Sequence, residues 1–139
     1  MISLPAAALE TLRRHVEASW PEEACGLLVG CGGPGNWQVE RAAPADNVAE
    51  NRRRRFEVDP RLRLRLQREL RGSPSRILGH YHSHPDGEAV PSDRDAADLH
   101  EPELVWLIAA VGRTGMTGLR AWRPRADGGG FDELTLVAG

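Results

Sequence analysis

The sequence predicts a mixed α/β domain whose C-terminal part is antiparallel. Three observations carry that prediction. Apolar residues recur three and four apart over Leu9, Leu12, Val16 and Trp20, the signature of an amphipathic helix. Two uninterrupted apolar runs, Ala24–Gly30 (ACGLLVG) and Glu103–Val111 (ELVWLIAAV), are bounded by Pro or Gly and read as buried strands. The chain then closes with two further strand-like segments, Thr117–Arg123 and Phe131–Val137, around a Gly-rich turn at Gly128–Gly130.

The first helix has Pro5 near its first turn, and Pro21 ends it. The Ala24–Gly30 strand follows, then a turn at Gly32–Gly35 and a second strand over Trp37–Ala42. Pro44–Arg55 is polar and irregular and reads as a loop, with a short strand at Phe56–Val58. Asp59-Pro60 reads as an N-cap and first helical position. Leu62, Leu66 and Leu70 continue that helix, and Gly72 suits its stop. The run Leu62, Leu64, Leu66 also fits a strand, but length and caps favour helix. Arg76–His84 reads as a strand running into a loop, and Ser92–Leu99 as a short helix.

A chain of 139 residues suits one domain, here 1–139, with one hydrophobic core. A formal net charge of -2 argues against a nucleic-acid partner, which usually meets a basic excess. All 18 basic residues are Arg, which removes a Schiff-base lysine or a Lys-dependent phosphate loop from consideration. Two cysteines, Cys25 and Cys31, are too few for a disulfide scaffold. No basic residue precedes the apolar Leu4–Leu9 run, and no segment approaches the roughly 20 apolar residues of a membrane span. The expectation is a soluble cytoplasmic protein with no membrane partner.

The chemistry is concentrated in His80–Asp95, HYHSHPDGEAVPSDRD. His82 and His84 are two apart, so on a strand both imidazoles face the same way. Asp95, eleven residues beyond His84, can fold back as a third ligand. Two His and a carboxylate leave the fourth position of a tetrahedral zinc open, as in catalytic sites. Each piece alone has a plainer reading. A His-x-His pair is usually surface or core; Ser92-x-x-Asp95 is also an N-terminal capping box; Glu23 could be a solvated carboxylate.

The combination is far more specific. His82-Ser-His84-Pro85, six residues, then Ser92-x-x-Asp95 resembles the zinc motif of the JAMM (MPN-plus) metallopeptidases. That family also carries a Glu far upstream at the start of a buried strand, the place of Glu23-Ala-Cys25-Gly26-Leu27-Leu28 here. The likeness runs through nearly the whole chain and implies the MPN fold, a curved mixed β-sheet flanked by helices. It implies zinc on His82, His84 and Asp95, Glu23 as the base that activates water, and Ser92 as donor to the oxyanion. It implies packing or second-shell duty for His80, while His15 and His100 read as surface. Cys25 reads as a buried inert thiol rather than a site residue. The Arg52–Arg55 run is either a solvated face or a contact for an acidic partner.

The link from Asp95 to the Glu103 strand leaves little room for the insertions of ubiquitin-docking eukaryotic members, so the chain looks like the compact prokaryotic type. Such members act on small ubiquitin-like sulfur-carrier proteins with a flexible Gly-Gly tail. The leading expectation is amide hydrolysis at such a tail, for example release of cysteine. The alternatives are an isopeptidase acting on ubiquitin-like conjugates and a non-catalytic MPN binding module. A His-rich metal-storage module would need neither Glu23 nor Ser92.

Overall fold

A computed structural model describes residues 1–97 and 99–139. Strands are β1 (Ile2–Leu4), β2 (Cys25–Gly33), β3 (Asn36–Ala45), β4 (Arg76–Pro85), β5 (Val105–Gly112), β6 (Gly115–Pro124), β7 (Phe131–Leu134) and β8 (Leu136–Ala138). Helices are α1 (Ala6–Ser19), α2 (Pro60–Glu69) and α3 (Asp93–Ala97). The strands form one mixed sheet in the order β7-β6-β5-β4-β2-β3-β1-β8, parallel at β4/β5, β1/β3 and β1/β8 and antiparallel elsewhere. β7 and β8 are separated by Thr135 alone, yet they occupy the two ends of that order. The sheet must therefore curl until residues 131–138 bridge its edges, and the Ile2 N–H donates to the Thr135 carbonyl at the join (2.9 Å). The expected curved mixed sheet with flanking helices is what the chain forms.

Each face of the sheet carries its own core. On one face α1 buries Ala8, Leu12 and Val16 against Leu28, Leu78, Tyr81 and Leu107. On the other, α2 buries Leu62 and Leu66 against Cys25, Leu27 and Val29, while Leu64 stays exposed, so the three-to-four period wins over the alternating one. Asp59 caps α2 by accepting the Arg61 N–H (3.0 Å), and Pro60 opens it, as expected.

A β-bulge sets the phase of the functional strand. Val29 pairs with Ile77 but Leu28 pairs with Gly79, so Leu78 is the extra residue in β4. Ile77 joins the α2 core, and beyond the bulge His80 and His82 lie opposite Leu27 and Cys25 of that same core. Without the bulge, Gly79, Tyr81 and Ser83 would take that face. Gly79 also lets β5 approach, because a Cβ there would collide with the Val105 carbonyl.

Several boundaries differ from the sequence reading. β1 was not anticipated, and β3 extends through Pro44 to Ala45, where a loop was expected. β1 pairs with β3 only at Trp37 and Gln38, so Pro44 sits where the outer side of β3 is an edge and no N–H is needed. Phe56–Val58 contributes only a bridge, Asn47 to Val58. Phe131–Val137 is two strands, not one. α3 ends at Ala97 in a segment expected to be helical to Leu99, and position 98 of that expectation lies outside the described residues. No helix among the described residues is long and apolar enough to cross a membrane.

Candidate active site

β4, the start of β2 and the N-terminus of α3 converge at one point. His82 and His84 project from β4 with their Nε2 atoms 3.2 Å apart. Asp95 meets both, Oδ1 at 3.3 Å from His82 Nε2 and Oδ2 at 3.0 Å from His84 Nε2. The three residues offer ligand atoms all within 4.8 Å of one another. Sequence spacing explains the approach: alternation aligns the imidazoles, and the capping geometry of α3 turns Asp95 inward. Ser92 Oγ accepts the Asp95 N–H (3.0 Å), and the Ser92 N–H donates to Asp95 Oδ2 (2.9 Å). The Ser-x-x-Asp pattern therefore forms the expected capping box. A hydroxyl has one proton and two lone pairs, so capping leaves the Ser92 O–H free to donate.

Glu23 lies just before β2, buried to 7% exposure. Its N–H donates to the Arg52 carbonyl (2.6 Å), and its carbonyl accepts from Asn47 Nδ2 (3.0 Å). Ser83, between the two histidines, accepts the Ala24 N–H through Oγ (2.8 Å), tying Glu23's strand to theirs. Glu23, Ser92, His84 and Asp95 line one cleft of about 310 Å³, with Arg53, Arg54, Arg55 and Arg94 around it.

The donor set fits a divalent metal. His84 Nδ1 lies 2.8 Å from the Glu88 carbonyl and so donates to it, which leaves the Nε2 lone pair facing the cluster. His82 is fully buried, and its Nδ1 has no partner among the described residues. Two imidazole nitrogens and a carboxylate at this separation are donors that suit a divalent ion.

Residues 5–125 match the model for prokaryotic homologs of the JAB domain. The chain belongs to this family. It is similar to a desampylase of Haloferax volcanii, 31% identical over 113 residues, which are 78% of this chain and 80% of that protein. It is 34% identical over 122 residues to a probable TtuB-protein conjugate cleaving protease of Thermus thermophilus, 88% of this chain and 75% of that one. A CysO-cysteine peptidase of Mycobacterium bovis is 29% identical over 109 residues, 78% of this chain and 73% of that one. Among solved structures, a Desulfitobacterium hafniense protein superposes with a TM-score of 0.86 at 30% identity, over 100% of this chain and 93% of that chain. A JAB1/MPN domain protein of Archaeoglobus fulgidus shares the fold at 17% identity, with a TM-score of 0.57 over 99% and 96% of the chains. The resemblance to the compact prokaryotic JAMM type thus stands, and with it the expectation of a hydrolase.

Burial governs the electrostatics of this JAB site. It raises the Glu23 pKa to about 7, Asp95 adding to the rise while His84 and Arg94 oppose it. A carboxyl in this range can hold and release a proton near neutrality. Burial also lowers His82, against the pull of Asp95, and so keeps its imidazole neutral. For His84 burial pulls down, but Asp95, the Glu88 carbonyl and Glu23 together raise it. Burial works against the charge of Asp95, yet the two imidazoles and the Ser92 N–H hold it well below the usual carboxylate range. Cys25 is buried, and its thiol is pushed up to about 12, an inert group as expected.

The JAB site also uses residues that the sequence did not flag. Phe56 stacks on His82 (4.2 Å between centroids, 16° between planes), so a residue distant in sequence packs on the face of the imidazole. His80 is buried among Phe56, His82 and Trp106 and is held neutral, its pKa lowered by burial to about 3, which agrees with a packing role. Two indoles clamp the turn after β4: Trp20 Nε1 donates to Asp86 Oδ1 (3.1 Å) and Trp122 Nε1 to the Ala89 carbonyl (3.0 Å). Between these anchors sits the Glu88 carbonyl that orients His84. His15 is not a plain surface residue: its Nδ1 is 2.6 Å from the Tyr81 hydroxyl.

Proposed function

We propose that the protein is a zinc-dependent peptidase that hydrolyses an amide bond at the C-terminal tail of a small ubiquitin-like sulfur-carrier protein, for example releasing cysteine. One observation supports this most: the His82, His84 and Asp95 ligand atoms lie within 4.8 Å of one another, and His84 and Asp95 share a cleft with Glu23 and Ser92. Zinc, when bound there, supplies Lewis-acid polarisation of a carbonyl and acidifies water. His82 and His84 present neutral nitrogens to it, and Asp95 adds a carboxylate. Glu23 takes a proton from the attacking water and returns it to the leaving amine, a role that suits a carboxyl tuned to about 7. Ser92 donates its hydroxyl proton to the developing oxyanion. The proposal includes a single peptidase domain over 1–139 working in the cytoplasm.

A second reading, an isopeptidase acting on ubiquitin-like conjugates, is favoured by the Thermus relative, whose name is that of a conjugate-cleaving protease. The test is a tail-cleavage assay on zinc-loaded protein, comparing a purified sulfur carrier ending in Gly-Gly-Cys with a ubiquitin-like isopeptide conjugate. Efficient release of cysteine supports the first reading. Cleavage of the conjugate alone moves the function to the second. Failure on both, with zinc bound, leaves the metallopeptidase without its substrate and favours a binding module.

A further inference from the structure

The small cleft has a charge pattern that the hydrolytic machinery does not use. Arg53, Arg54, Arg55 and Arg94 line it together with Glu23, Ser92 and Asp95. Among the described residues none of these four arginines forms an ion pair, although Arg52 beside them pairs with Glu22 (3.3 Å). Nor is the arginine segment a loose arm. Asn47 Nδ2 holds both the Glu23 and Arg55 carbonyls (3.0 and 2.9 Å), and the Arg52 carbonyl takes the Glu23 N–H. Arg94, directly before Asp95, donates Nη1 to the Arg54 carbonyl (3.3 Å). That contact uses one of five guanidinium N–H donors, and among the described residues the Arg94 side chain makes no other hydrogen bond.

Guanidinium groups beside a proton-donating carboxyl discriminate between leaving groups. When an amide is hydrolysed to release a C-terminal amino acid, its free carboxylate lies only two bonds from the departing nitrogen. A cation that recognises it must stand close to Glu23. When a lysine side-chain amide is opened, the departing nitrogen ends an apolar methylene stem and carries no anion. The cleft around Glu23 is walled by arginine rather than by aliphatic side chains. A second cleft, of about 790 Å³, shares Arg55, Phe56 and Asp95 with the first and is lined by Leu27, Val58, Leu104 and Trp106, which suits the acyl side of a substrate.

We propose that Arg94, seated on the Arg53–Arg55 segment, binds the α-carboxylate of the leaving residue, making the enzyme selective for removal of one C-terminal residue. This rests on the amide-hydrolase reading above. Water adds its oxygen to the acyl carbon, the C–N bond breaks, Glu23 carries one water proton to the nitrogen, and the second passes from the new acid to the released amine. The products are a new tail carboxylate and a free amino acid whose carboxylate is still held by Arg94. A charge-assisted, bidentate contact of this kind is worth about tenfold or more in affinity.

The test uses a short peptide ending Gly-Gly-Ala, prepared as the free acid and as the C-terminal carboxamide. Calorimetric binding is measured to zinc-loaded Glu23→Gln protein, which should hold the peptide without cutting it. The acid should bind about tenfold or more tighter than the amide. Arg94→Gln should erase that preference and Arg94→Lys should keep part of it; in otherwise active enzyme the same changes should appear mainly in KM. Equal binding of acid and amide, no binding of the acid, or a preference that survives Arg94→Gln overturns the proposal. Wild-type enzyme that cleaves both peptides equally, or only an isopeptide conjugate, overturns it while leaving the hydrolase reading intact. Preferential binding of the acid without turnover by the wild type would instead sink the hydrolase reading and leave the carboxylate site standing.

Discussion

The proposed mechanism gives Ser92 a second job beside its cap, and one substitution separates the two. Its Oγ accepts the Asp95 N–H at 3.0 Å while its own N–H donates to Asp95 Oδ2 at 2.9 Å. Ser92→Ala removes the first bond and keeps the second, so Asp95 retains one of its anchors. Losing an N-cap of this kind costs about 1 kcal/mol. In a chain of this length that lowers Tm by about 3–5 °C. The catalytic loss should be much larger. The cap uses a lone pair of the hydroxyl, so the O–H proton stays free for an oxyanion, and removing such a donor lowers kcat by about 10²–10³. Ser92→Gly separates the two effects, because Gly at an N-cap costs only about a few tenths of a kcal/mol and has no proton to donate. It should recover the stability and not the turnover. Thermal melts and saturating tail-cleavage rates read both quantities. A folded Ser92→Ala protein with kcat within about twofold of wild type would refute the oxyanion role.

Other consequences follow from burial and from the loop that orients His84. In protein kept free of metal, the Glu23 pKa is raised from 4.5 to about 7, so the folded state binds more protons between those values. The contribution of Glu23 to stability is therefore full below about 4.5 and is lost as pH rises through about 7. Glu23→Gln should come close to wild type in melts near pH 4, gain on it as pH rises between about 4.5 and about 7, and keep a constant lead above that, so a difference independent of pH would contradict the assigned burial. Trp122→Phe removes the donor to the carbonyl of buried Ala89 and should cost about 1–3 kcal/mol, read by denaturant titration. By loosening the turn that carries the Glu88 carbonyl it should also weaken zinc binding about tenfold or more, and unchanged zinc affinity would remove Trp122 from the support of His84.

The readable part of the site was local in sequence. His82 and His84 follow from strand alternation, and Asp95 from a capping box that needs only three residues of spacing. Glu23 is singled out only through the family resemblance, which places a Glu before a buried apolar run; by itself it reads as a solvated carboxylate. The unread part is built from contacts between residues far apart in the chain. Phe56 reaches His82 from the loop after β3, Trp20 and Trp122 hold the turn after β4 from opposite ends of the sequence, and a backbone carbonyl at Glu88 leaves no side-chain signal at all. The fold divides in the same way. α1, α2, β2 and β5 carry strong periodicity or long apolar runs. β1 has three residues and merges in sequence with the apolar start of α1, so its pairing with β3 and β8 supplies what propensity does not. The split of residues 131–138 depends on closure of the sheet, which no local pattern encodes. The bulge at Leu78, which selects the face that the histidines take, is likewise set by pairing with β2.

The proposed mechanism requires His82, His84 and Asp95 to hold a zinc ion and Glu23 to serve it without ligating it. Zinc titration followed by elemental analysis of wild type, Glu23→Gln, His82→Ala and Asp95→Ala tests this most directly. This mechanism requires about one zinc per chain in wild type and in Glu23→Gln, with Glu23→Gln losing turnover, and severely weakened binding in the other two. It would be contradicted by wild-type protein that binds no zinc, or by Glu23→Gln losing the metal as fully as His82→Ala.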